Sequence, residues 1–257
     1  MTRKVVLKWI SRRSSTMPFF STTSPPKTLK LMNKDMKLSE KTIDLLENFS
    51  SINQSILVKK GSKLRTISVM KNILAEAEVD ENFEKDFGIY DLPQFLNGVG
   101  LMNDPDIDLK HDSYMIIREG RSTRVKFAFA DPEVIVSPPE KAIELPSNDV
   151  AFQLDSSQLQ KLLKASSVYQ LPDLSAVGNG SEITLVVSDR KNDNSNEYSL
   201  IVGKTDKTFE LNFKIENIKL IPGSYEVIIS KKLLSQFTNS TYNLKYFIAL
   251  EPDSTFE

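Results

Sequence analysis

Three stretches carry residue types that could do chemistry. Asp104, Asp106 and Asp108 alternate as the first ligands of a calcium loop do, but such a loop needs glycine where Leu109 stands and a bidentate glutamate where Met115 stands. They read as a solvated turn. His111-Asp112-Ser113 contains the residue types of a hydrolase triad, yet neighbours in sequence rarely point at one another, and no nucleophile-elbow glycines flank the serine. Gly61-Ser62-Lys63 lacks the leading glycine of a phosphate loop and falls between strands, where no helix N-terminus could receive phosphate. With no cysteine and one histidine, disulfides, thiolate chemistry and multi-histidine metal sites are excluded. No constellation supports catalysis, and no cofactor or metal is implied. What remains is a charged face. At about 100° per residue, Leu159, Leu162 and Leu163 centre on one side of a helix and Lys161 and Lys164 on the other, a pattern that also suits an ordinary solvated face.

The elements that position these residues come in duplicate. Phe87-Gly88-Ile89-Tyr90-Asp91-Leu92 and Phe213-Lys214-Ile215-Glu216-Asn217-Ile218 share the strand-into-helix signature Phe-x-Ile-x-x-(Leu/Ile). Each copy leads to a strand that ends alike, one running from Lys126 to Pro132 and the other from Lys245 to Pro252 with one residue inserted. Each half opens on a capped helix. Ser39 precedes Ile43, Leu45, Leu46, Phe49 and Ile52, and Asp155 precedes Leu159, Leu162 and Leu163. Asp91 caps a further helix with Pro93 in its first turn. Ile73, Ala75, Ala77 and Val79, then Val125, Phe127 and Phe129, and Phe209, Leu211 and Phe213 alternate with polar residues as half-buried strands do. Strands are also expected near 183–187 and 198–202, with hairpin turns at Asn179-Gly180-Ser181 and at 192–196. Residues 131–149 hold Pro132, Pro138, Pro139 and Pro146, which remove ladder donors and fix an extended backbone. That stretch is a linker whose Val134, Ile135, Val136, Ile143 and Leu145 imply that it lies against apolar surface.

The 257 residues suffice for two domains with their own cores. The expected divisions are an extension at 1–35, domain one at 36–132, a linker at 133–149 and domain two at 150–257. Residues 1–35 carry eight Lys/Arg and one Asp, so removing them from totals of 33 and 34 leaves 25 bases against 33 acids. The folded part is acidic, which argues against tight nucleic-acid binding over its whole surface. The extension has the basic, acid-poor composition of a transit peptide; a disordered tail, or translated sequence upstream of a start at Met32 or Met36, fits the same residues. No run approaches the roughly 18 apolar residues of a membrane span.

From Met36 to Glu257 the chain resembles the sliding clamp, or DNA polymerase processivity factor, of T4-type bacteriophages. The resemblance is carried by Met36-Lys37-Leu38-Ser39 with Leu45, Leu46, Asn48 and Phe49, by Ile89-Tyr90-Asp91-Leu92 with Phe95-Leu96, and by Arg121-Ser122-Thr123. Further on it rests on Ala130-Asp131-Pro132, Leu159-Gln160 with Leu162-Leu163, Pro222-Gly223 with Tyr225, and Ala249-Leu250-Glu251 with Asp253-Ser254-Thr255. It implies an α+β fold of two tandem clamp domains, each with antiparallel sheets and two helices. Three chains would close head to tail into a ring whose helices face duplex DNA. Lys37, Lys41, Lys161, Lys164 and Lys219 would then face the DNA, although Glu40 and Glu47 stand where the family can carry lysine and the helix after Asp91 offers only Gln94 and Asn97. The implied protein is not an enzyme. It would be opened by an ATP-dependent clamp loader, hold the replicative polymerase by its C-terminal tail, support late viral transcription through its factors, and work in the cytoplasm of an infected bacterium. Partner tails are expected near Val136, Leu145, Phe247, Leu250 and Pro252. The alternative is a monomeric β-rich interaction module that kept the duplicated fold without encircling DNA.

Overall fold

A computed structural model of the chain describes residues 35–257. The expectation for the N-terminal extension lies outside the described residues except at Asp35. The first half runs α1 (Glu40–Ile52), β1 (Ile56–Val58), β2 (Gly61–Ile67), β3 (Ile73–Phe83), β4 (Phe87–Ile89), α2 (Leu92–Gly100), β5 (Asp106–Asp108), β6 (Tyr114–Glu119) and β7 (Thr123–Ala128). Ser39 caps α1, its Oγ accepting from the Thr42 amide at 3.2 Å, and Asp91 caps α2 by accepting from the Gln94 amide at 2.8 Å. Leu45, Leu46, Phe49 and Ile52 bury one face of α1, which packs on β2 and β3. The alternation along β3 puts Ile73, Ala75, Ala77 and Val79 on that inner side, and the small alanines leave room for the helix.

The second half runs β8 (Val150–Leu154), α3 (Ser156–Tyr169), β9 (Asp173–Asn179), β10 (Glu182–Ser188), β11 (Tyr198–Lys204), β12 (Thr208–Lys214), β13 (Tyr225–Ser230), β14 (Leu234–Asn239), β15 (Leu244–Ala249) and β16 (Thr255–Phe256). Asp155 and Gln158 close a reciprocal capping box on α3, 2.8 and 3.0 Å long.

One expected element is missing. In the first copy the repeated signature runs β4 into α2, but in the second it leads only into a 3₁₀ turn at Ile215–Asn217, so this domain has one α-helix where two were expected. The cause is local. Pro222 lies five residues beyond Asn217, the counterpart of Asp91, and has no amide for a second helical turn. Asn217 instead accepts a hydrogen bond from Asn72 at 3.0 Å, and Ile218, Leu220 and Ile221 are buried.

The strands form four antiparallel sheets, ordered β1-β4, β5-β6-β7, β2-β3-β15-β14-β13-β8 and β11-β10-β9-β12-β16. The six-stranded sheet joins the two domains, since β3 pairs with β15 from Ile73↔Ile248 to Ala77↔Leu244. Behind this seam lies a polar network. The Tyr246 hydroxyl donates to Asn48 Oδ1 at 2.7 Å and accepts from the Ile221 amide at 3.1 Å, while Asn48 Nδ2 donates to the Lys219 carbonyl at 3.0 Å. Burial pushes the Tyr246 hydroxyl well above its ordinary pKa, so it stays a neutral donor. The linker crosses the opposite face of the sheet. Arg65 holds the Pro139 carbonyl at 2.8 Å, and Ile143 packs on Ile67, Leu74 and Phe247. Ile135 is buried against Gly88, where an added Cβ would stand 2.7 Å from its Cδ1 and 2.8 Å from the Ala130 carbonyl oxygen. Val134 and Val136 point outward, 58% and 38% exposed, so only part of the linker's apolar content is covered.

Asp35 anchors the start of the described chain, accepting from Lys110 at 3.0 Å and from Arg118. Burial raises its pKa, but the hydrogen bonds from Lys110 and Arg118 outweigh this and hold the carboxyl below its ordinary value. Its stabilisation is present above the unfolded carboxylate pKa of about 3.9 and is lost as pH falls through the lower folded value. At neutral pH a chain starting at Met36 is therefore expected to melt slightly lower than one starting at Asp35, with the gap narrowing as pH falls below about 3.9. Thermal melts of the two chains across pH check this.

Candidate nucleic-acid interface

The two lysines of α3 stand as their spacing requires. Leu159 and Leu162 are buried, and Lys161 and Lys164 are exposed on the opposite side. Neither has an ion pair among the described residues. The other predicted lysines are engaged. Lys41 lies over the Tyr242 ring at 5.9 Å, and the Tyr242 hydroxyl donates to Asp44 at 3.1 Å. Lys219 donates to the Ser51 carbonyl at the C-terminal end of α1, where the helix dipole favours a cation. Lys37 pairs with Asp104, well away from α3 in the contacts it makes. The structure thus leaves Lys161 and Lys164 as an adjacent pair with no hydrogen bond or ion pair among the described residues, though Lys161 lies in the field of Asp155, and distributes the other three among local partners.

The remaining motifs resolve simply. Besides the Lys37–Asp104 pair, Asp108 faces Lys110 at 3.6 Å, and His111 stacks on Tyr114 with ring centroids 4.2 Å apart. No helix among the described residues is long and apolar enough to cross a membrane. Of the residues expected to meet partner tails, Val136 and Pro252 are open and Leu145 is half-buried, while Phe247 and Leu250 are buried at 3% and 5% exposure. Phe247 is covered by the chain's own Ile143.

Sequence reasoning passed over two strand edges. β7 ends the three-stranded sheet and β11 ends the five-stranded one, with no strand beyond either among the described residues. Both carry half-buried apolar residues, Val125 and Phe127 on β7, Tyr198, Leu200 and Val202 on β11, and Ile201 on the outer side of β11 is 56% exposed. An edge strand that is apolar but neither covered nor charged on its core side asks for another strand. The alternation was visible in sequence; the vacancy beside it was not.

Two tandem domains with helices packed against antiparallel sheets fit the class of DNA clamps. Residues 34–137 match the family described as DNA polymerase processivity factor, and residues 151–252 match the gp45 sliding clamp, C terminal. The sliding clamp of Escherichia phage RB69 is 32% identical over 231 residues, covering 86% of this chain and 100% of its own length, and that of Enterobacteria phage T4 has the same identity and coverage. The sliding clamp of Vibrio phage KVP40 is 29% identical, covering 84% and 99%. Among solved structures, the proliferating cellular nuclear antigen of Entamoeba histolytica superposes with a TM-score of 0.64 at 17% identity, covering 85% of this chain and 98% of that one. The A. fulgidus PCNA bound to the C-terminal region of FEN-1 gives 0.64 at 12%, covering 86% and 100%. At those identities the likeness carries the fold alone. The chain belongs to the phage sliding-clamp family, whose members are processivity factors and not enzymes.

Proposed function

We propose that three copies of this chain close head to tail into a ring that encircles duplex DNA and tethers the replicative polymerase. The observation that carries this is the two edge strands β7 and β11. Within the chain, β15 of domain two pairs with β3 of domain one. In the repeat, β7 is the counterpart of β15, with Lys126 matching Lys245, and β11 is the counterpart of β3, the second strand of the hairpin under each domain's first helix. β7 of one copy against β11 of the next repeats the internal seam. Its half-buried residues Val125 and Phe127 then meet Tyr198, Leu200 and Val202. Because both seams join a first-domain edge to a second-domain edge, the contact is heterologous, and a rotation that closes gives a ring. Light scattering of the purified protein is expected to give the mass of three chains; a monomer would favour an interaction module that kept the fold without encircling DNA.

In such a ring Lys161 and Lys164 give six ammonium groups that meet phosphates without reading sequence, and few contacts keep the barrier to sliding low. Retention comes from closure, so an acidic chain can still be a DNA protein. The reading takes domain one as 36–132, domain two as 150–257 and residues 133–149 as the connector. It also includes opening by an ATP-dependent loader, service to late transcription factors and a site of action in the host cytoplasm, all supported by membership of the family.

Partner tails dock along the linker, where Val136 and Pro252 are exposed and Leu145 is half-buried, while Phe247 and Leu250 are buried and support this surface from within the fold. A short peptide with one or two apolar anchors buries enough area for weak, exchangeable binding. Val136→Asp is expected to weaken binding of a labelled polymerase C-terminal peptide about tenfold while leaving trimer content unchanged. Equal affinity would move docking elsewhere, such as the seam between subunits.

A further inference from the structure

The buried faces of α1 and α3 share a register that the eye misses in the sequence. Thr42, Leu45 and Phe49 are buried on α1 with spacings of three and four, and Leu159, Leu162 and Ser166 are buried on α3 with the same spacings. Each helix packs on the hairpin that follows it, α1 on β2 and β3, α3 on β10 and β11. Matching these faces sets Asp44 in the place of Lys161 and Glu47 in the place of Lys164, all four exposed. The outward face of α1 adds Glu40, also exposed. Its one base, Lys41, is drawn aside over the Tyr242 ring, and the same tyrosine fixes Asp44 through its hydroxyl.

From this we infer that the duplex is held by domain two alone. In the ring, three basic patches on α3 alternate with three acidic patches on α1 that push phosphates away, giving contact at three places around the hole where the fold offers six. The inference rests on the encircling ring proposed above. At about 0.1 M salt, charges act over roughly 10 Å, so phosphates near α1 feel its acids and those near α3 its lysines. The duplex then sits against lysines spaced a full subunit apart. The number of phosphates neutralised at once is small, and the salt dependence of binding is correspondingly shallow.

The test rewrites α1 in the image of α3. Asp44→Asn keeps an acceptor for the Tyr242 hydroxyl, and Glu47→Lys supplies the counterpart of Lys164. Binding of a short labelled duplex to the full trimer is measured against salt, with melting and trimer content as controls. The double variant is expected to bind about tenfold tighter at about 0.1 M salt, with a slope steeper by close to one for each new phosphate contact. Glu47→Gln alone should give a smaller gain with little change of slope. An intact trimer of either variant with wild-type affinity would overturn the inference. Lys161→Glu with Lys164→Glu, titrated in parallel, separates the two levels. If that change weakens binding while the α1 variants do nothing, the ring stands and the two-sign lining falls. If neither change matters, the ring is not threaded by DNA in this orientation.

Discussion

Leu200→Asp is expected to turn the trimer into monomers that still fold. Leu200 sits on the edge strand β11, half-buried in the isolated chain, with no strand beyond it among the described residues. In one subunit the new carboxylate can turn to water. Against β7 of a neighbour it would have to be desolvated without a partner, at a cost of several kcal/mol per seam. Each 1.4 kcal/mol is a factor of about ten in the association constant, so the seam should weaken by at least about a hundredfold. Light scattering at micromolar concentration reads the mass, and a melting transition shows that the monomer keeps its core. A variant that still runs as a trimer would place the subunit contact on another edge.

Reversing the α3 lysines should leave the trimer intact and cut its hold on DNA. Lys161→Glu with Lys164→Glu puts six acidic groups where the ring had six ammonium groups. Both positions are exposed and make no ion pairs among the described residues, so folding should be little affected. Processivity on primed template at about 0.1 M salt is expected to fall by roughly tenfold or more, and the loss should shrink as salt rises, since screening removes attraction and repulsion alike. Unchanged processivity would show that this face does not look at DNA.

How much could be read from the sequence follows the reach of each interaction. The caps at Ser39, Asp91 and Asp155 act over three residues, and all three were legible as side-chain types in the right place. So was the burial pattern of α1 and of β3, which needs only a period. The lost second helix of domain two was also a local matter, since Pro222 stood in plain sight, but the repeated Phe-x-Ile signature outweighed it. What sequence could not show were meetings of distant residues. Lys41 finds Tyr242, Lys219 finds Ser51, and Ile143 covers Phe247 from more than a hundred positions away. Each of these changes what a predicted site residue is free to do. The edges of β7 and β11 belong to the same class, because an unpaired edge is a property of a sheet and not of a strand.

The hydroxyl of Tyr246 has a mechanical meaning. It ties α1 to the loop behind β12 inside each chain, and in the repeat its place on β7 is taken by Phe127, which has no oxygen to offer. In the proposed ring, seams within a chain are stitched by backbone ladder and polar network together, while the seams between chains lack the counterpart of this hydroxyl. Under load such a ring would not bend evenly. It would behave as three stiff arcs joined by three softer hinges, and the work of opening would be spent at a single hinge while every arc kept its curvature for the next closure.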